Sequence, residues 1–167
     1  MYKIGDLFVY GSSGACRITD IKKENFGKNE TTYYILSPVF DIKETIYIPI
    51  DNEALVAKMK RILTPEELIT LIKTIPQKKS VWIENVNQRR EEYKRIIKKA
   101  NREELLALIK TLYERRVELQ QSGKNLSVYD ERFFRHAQNI IHSEISLVLQ
   151  IPREEIPSYI EKTLSVA

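Results

Sequence analysis

The chain has 167 residues, of which 30% are charged and 43% hydrophobic, with one cysteine and a formal net charge of +4. These values describe an ordered globular chain with room for one ordinary domain or two small ones, and they exclude an internal disulfide and a long low-complexity tail. Residues 1–6 lack the basic segment and apolar run of a secretory signal, and no stretch reaches bilayer-spanning length, so the expected location is the cytoplasm.

Charge is unevenly spread. Residues 1–56 carry 6 basic and 8 acidic side chains, a balance of about −2, whereas residues 57–167 carry 21 basic and 15 acidic, about +6. Two modules with different partners are implied, and the basic one would feel a polyanion.

The first module breaks into β-rich runs at residues 7–10, 15–21, 31–36 and 44–50. The turn chemistry of residues 11–14 and 25–29 and the short link 41–43 favour antiparallel pairing of consecutive strands. Ile46, Ile48 and Ile50 alternate with Thr45 and Tyr47, and Cys16 and Ile18 alternate with Arg17 and Thr19, the period of 2 expected when one side faces a core. Cys16 reads as a small buried hydrophobe. Four or five strands in so short a stretch suit a strongly bent SH3-like or Tudor-like barrel, with Pro49 at a strand end or edge.

Beyond Asn52 the period becomes helical. Thr64, Pro65 and Glu67 supply an N-cap, a first-turn proline and a capping-box carboxylate for a helix over residues 65–74. After a break at 75–80, Val86, Tyr93, Ile97 and Ala100 mark a helix over 84–100. Asn101 with Glu104 opens the next, whose stripe is Leu105, Ile109, Leu112 and Tyr113 and whose stop is Gly123. Ser127 with Asp130 caps the longest helix, 128–150, and Pro152 and Pro157 separate it from a short last one at 158–164. The fold class is therefore α+β: an N-terminal antiparallel β-barrel over residues 1–56, then an all-α helical bundle over 57–167.

Constellations for catalysis are poorly represented, so the chain reads as a non-enzyme without cofactor or metal. His136 and His142, six positions apart on one helix, point about 120° apart and away from a shared ion. The segment 11–14 lacks the Lys-Ser/Thr ending of a phosphate loop. Residues 78–99 differ: they hold eight basic side chains, including Arg89, Arg90, Lys94 and Lys98, against three acidic ones, and the only tryptophan, Trp82. Arg90, Lys94 and Lys98 at four-residue spacing draw a basic stripe suited to a phosphate backbone, or equally a solvated face. Residue chemistry leaves Trp82 open between a base-stacking wedge and a core residue.

KIGDLFVYGSSGACRITDI (residues 3–21) and TIYIPIDN (45–52) resemble the opening of CarD/CdnL transcription regulators and the polymerase-interacting domain of transcription-repair coupling factors. The resemblance continues through VWIENVNQRREEYKRIIKKANREEL (81–105) and covers about residues 1–150, which favours the CarD/CdnL side. It implies that the β module binds the β subunit of RNA polymerase. It further implies that the helical domain contacts promoter DNA at the upstream edge of the melted bubble, with Trp82 as a minor-groove wedge. Arg89, Arg90 and Lys94 are then the phosphate contacts. Thr45, Tyr47 and Pro49 on the exposed strand face polymerase, with Glu24 and Tyr47 standing where some relatives carry basic contacts.

The resulting expectation is a nucleoid-associated regulator that stabilises the open complex and binds DNA weakly and without much sequence preference. The alternative is a protein adaptor whose basic helices bind an acidic protein and whose Trp82 is buried. The edge strand leaves open a domain-swapped dimer.

Overall fold

The computed structural model describes residues 2–27 and 29–165. Lys28, part of the expected turn at 25–29, lies outside them. The chain divides into two compact units, Met1–Ile62 and Leu63–Ala167.

The first unit is an antiparallel sheet of β1 (Leu7–Tyr10), β2 (Ala15–Glu24), β3 (Thr31–Pro38), β4 (Ile46–Pro49) and β5 (Met59–Arg61), in the order β4-β3-β2-β1-β5. This is the Tudor-like arrangement expected from four or five strands in so short a stretch, with β4 and β5 as the edges. Gly14 makes the β1–β2 connection: its φ of 72° and ψ of −149° suit glycine alone, and its carbonyl accepts from Tyr10 N at 2.9 Å. A bulge at Thr19 shifts the β2–β3 register, and the Thr19 hydroxyl donates to Ile35 O at 3.2 Å. One face buries Phe8, Cys16, Ile18, Tyr34, Leu36, Ile48 and Met59, with Tyr2 packed edge-on against Phe8. Cys16 is a buried free thiol, and Arg17 and Tyr47 point the other way, as the period of 2 requires.

The fifth strand was not legible in the sequence. A single helical turn, α1 (Glu53–Val56), capped by the Asn52 side chain, lays Leu55 and Val56 on the core and carries the chain to β5 beside β1. Because β5 belongs to the sheet, the division falls after Ile62 rather than after Val56.

The second unit contains α2 (Pro65–Lys73), α3 (Val86–Lys99), α4 (Arg102–Gln121), α5 (Val128–Leu149) and α6 (Ile156–Ser165). Thr64 and Glu67 form the reciprocal capping box of α2, and Asn85, Asn101 and Ser127 each cap the helix that follows. Ala100 adopts the left-handed conformation (φ 51°), which ends α3 and turns the chain directly into α4. The α4 stripe is rotated from the expected one. Leu105, Leu108 and Leu112 are buried, whereas Tyr113 is exposed, because the inward side is set by packing on α5. Val86 is likewise exposed on α3, where Tyr93, Ile96 and Ile97 take the interior.

One buried charge organises this unit. Glu144 on α5 accepts from Arg102 Nε and Nη2, both at 2.7 Å, and from the Leu63 backbone N–H at 2.9 Å. A two-pronged guanidinium and a backbone amide together satisfy a carboxylate that is almost wholly removed from water.

Candidate functional site

Between α2 and α3, residues 78–85 run largely without regular structure along α4. Their backbone is pinned from that helix: Lys110 Nζ donates to the carbonyls of Pro76 (2.9 Å) and Lys78 (2.6 Å), and Thr111 Oγ1 accepts from Val81 N at 3.2 Å. Ser80 also hydrogen-bonds Glu114, and Lys78 pairs with Glu103. An irregular segment is thereby held in place by side chains of a rigid helix.

Trp82 sits in this segment, half-buried, on the wall of a cleft of about 280 Å³ shared with Val81, Tyr93, Leu108 and Thr111. Two guanidinium carbons lie over its ring, that of Arg89 at 4.3 Å and that of Arg115 at 4.8 Å. Such contacts favour the electron-rich face of an indole. The side chain is neither a free surface group nor a core residue.

Arg89 is only 9% exposed. Its Nε donates to Asp130 Oδ1 at 3.2 Å and its Nη1 to the carbonyls of Ile83 (2.9 Å) and Glu84 (3.3 Å). The family resemblance implies Arg89 as a phosphate contact, but the structure turns it inward, because the first turn of α3 faces the first turn of α5. Asp130 (4% exposed) also accepts from the Tyr93 hydroxyl at 2.8 Å and the Ser127 hydroxyl at 2.9 Å. Burial first, and then the hydrogen bond to Asp130, push the Tyr93 phenol well above its ordinary range.

The remaining basic stripe is only partly outward. The Arg90 guanidinium rests 4.1 Å over the Tyr129 ring. Lys94 is exposed and 3.4 Å from Glu91, and Lys98 is exposed. Arg95 joins Glu92 (2.6 Å) and Glu104, whose carboxyls are held below the usual range chiefly by that hydrogen bonding. Lys99 lies 3.5 Å from Glu104. Much of the charge counted in the sequence is thus neutralised locally. Arg115 and Asp130 were missed as site residues: Arg115 lies outside the basic segment, and Asp130 carries only the signature of a helix start.

In the first unit, Tyr47 is 40% exposed on the edge strand β4. Its ring meets Phe26 at 5.2 Å and Tyr33 at 5.9 Å, and Phe26 meets Tyr33 at 5.3 Å, all edge-to-face. Phe26, 64% exposed at the β2–β3 turn, was not singled out by sequence because a turn aromatic has no periodic signal. Glu24 ends β2, paired with Lys22 at 3.0 Å; Thr45 is exposed just before β4, and Pro49 is its last residue.

Among the described residues, no helix is long and apolar enough to cross a membrane, and no group of three or more His, Cys, Asp or Glu is placed to hold a metal. No individually curated protein matches the chain significantly. The family model described as "CarD-like/TRCF RID domain" matches residues 2–63, and that described as "CarD, C-terminal domain" matches residues 70–161. The two matches coincide with the β unit and the helical unit, and the chain belongs to the CarD family of transcription-related, RNA polymerase-interacting proteins.

Proposed function

We propose that this chain docks on the RNA polymerase β subunit through β4 and its aromatic neighbours and stabilises the promoter open complex with Trp82. The observation that carries the reading is the presentation of Trp82, a half-exposed indole on a segment that Lys110, Thr111 and Glu114 fix to a helix. An apolar ring that enters a base step must be rigid and accessible at once, since unstacking costs a few kcal/mol per step. Arg90 and Lys94 on α3 serve as phosphate contacts, while Arg89 stays with Asp130.

On the β unit, Tyr47 is the outward anchor, with Thr45 and Pro49 along the edge and Glu24 at the end of β2. An open strand edge offers backbone pairing, and the aromatic cluster adds apolar contact. Binding works differentially: contacts made only to melted DNA lower the free energy of the open state relative to the closed one, about tenfold for each 1.4 kcal/mol. DNA binding without polymerase is weak and salt-sensitive, and docking supplies the effective concentration.

The test is open-complex lifetime on a fluorescent promoter with polymerase, wild type against Trp82→Ala. A shorter lifetime with polymerase affinity unchanged supports the reading. An unchanged lifetime overturns it in favour of an adaptor that binds an acidic protein.

A further inference from the structure

Two arginines touch the Trp82 ring, and they differ in freedom. The polar contact of Arg115 runs to exposed Glu118 at 3.2 Å, and its Nε is buried without a hydrogen-bond partner. Arg89 is fixed at every described polar contact, and two of those contacts are the backbone carbonyls of Ile83 and Glu84, directly after Trp82. One guanidinium therefore holds both the indole and the chain that carries it. Its own position is set by Asp130, which sits in the first turn of α5, where the Ser127 cap fixes the backbone.

We propose that Asp130, acting through Arg89, is a positioning residue for Trp82: the carboxylate orients the guanidinium, and the guanidinium fixes the angle at which the indole meets its target. The reason is entropic. A side chain ordered before binding does not lose that freedom on binding, and so more of its contact free energy appears as affinity. Lysine cannot take this role, because a single ammonium lacks the planar fork that bonds a carboxylate and two carbonyls while stacking on a ring. The inference rests on the wedge reading and adds to it a reason for the buried ion pair.

The test uses the full chain with polymerase and compares wild type, Arg89→Lys, Trp82→Ala and the double variant. Arg89→Lys is expected to shorten open-complex lifetime about fivefold, and less than about twofold in the Trp82→Ala background, since coupled residues are non-additive. Equal losses in both backgrounds overturn the proposal. A Trp82→Ala lifetime equal to wild type instead overturns the wedge reading, and a second measurement then decides the positioning role alone. Trp82 is the only tryptophan, so intrinsic emission reports on it without a label. Arg89→Lys and Asp130→Asn should both raise acrylamide quenching of that emission in protein whose circular dichroism is unchanged. Quenching equal to wild type in Arg89→Lys overturns the proposal even if Asp130→Asn fails to fold.

Discussion

Arg89 Nε on α3 donates to Asp130 Oδ1 on α5 at 3.2 Å, joining residues 41 positions apart by an ion pair from which water is largely excluded. Removing one partner leaves the other charged and unpaired in a poorly solvated site. Asp130→Ala is expected to cost about 3 kcal/mol in urea unfolding, and the paired replacement Arg89→Met with Asp130→Leu should recover little of that loss, because it also leaves the Tyr93 hydroxyl and the Ile83 and Glu84 carbonyls without their partners. A loss below about 0.5 kcal/mol for Asp130→Ala would show the pair to be energetically idle.

Tyr47 and Phe26 form the exposed part of an aromatic cluster on the β unit. Because both are partly exposed, Tyr47→Ala and Phe26→Ala should lower the melting temperature by only several degrees, the loss of their edge-to-face contacts. Each should weaken binding to an isolated polymerase β fragment about tenfold, the scale of an aromatic anchor. Titration calorimetry checks this, and wild-type affinity in both variants rejects the surface.

His142 sits among α5 side chains, where burial first, and then the positive charge of Arg153, bring its pKa from 6.5 down to about 4. The folded state therefore favours the neutral ring, and the unfolded state takes up the proton first. Stability from this group is full above about pH 6.5 and falls as pH drops towards 4. Chemical unfolding between pH 7 and 4 should lose less stability in His142→Gln than in wild type; parallel curves would reject the assignment.

Cys16 lies inside the β unit, and burial first, and then the Glu44 charge, push its thiol up to about 12. Neither thiolate nor access is present near neutral pH. A disulfide reagent at pH 8 should label native protein far more slowly than urea-unfolded protein, and prompt labelling of the native state would reject this.

Sequence reached the elements whose signals are local. The caps at Thr64, Asn101 and Ser127, the glycine turn before β2 and the period of 2 around Ile48 all depend on neighbours within a few positions. Strand β5 was hidden because Met59–Arg61 is too short to show alternation, and only β1 makes it a strand. Trp82 stood out by composition, but its setting did not. Arg89, which the family resemblance implies as a phosphate contact, is turned inward by Asp130, and Arg115 reaches the ring from another helix. Such convergence is tertiary and leaves no mark in the order of residues.

Strand β4 closes on Pro49. Ile50 N donates inward to Thr32 O at 3.0 Å, so along this strand Ile48 turns its backbone amide towards β3, while Tyr47 and Pro49 turn theirs towards the open side. Proline has no N–H, so within Ile46–Pro49 the amide left to receive a newcomer is that of Tyr47. An arbitrary strand finds too short a ladder to nucleate a fibril or a runaway stack of copies. A partner that also fits the aromatic side chains can still settle there, and one imino acid thus makes a sticky edge choosy.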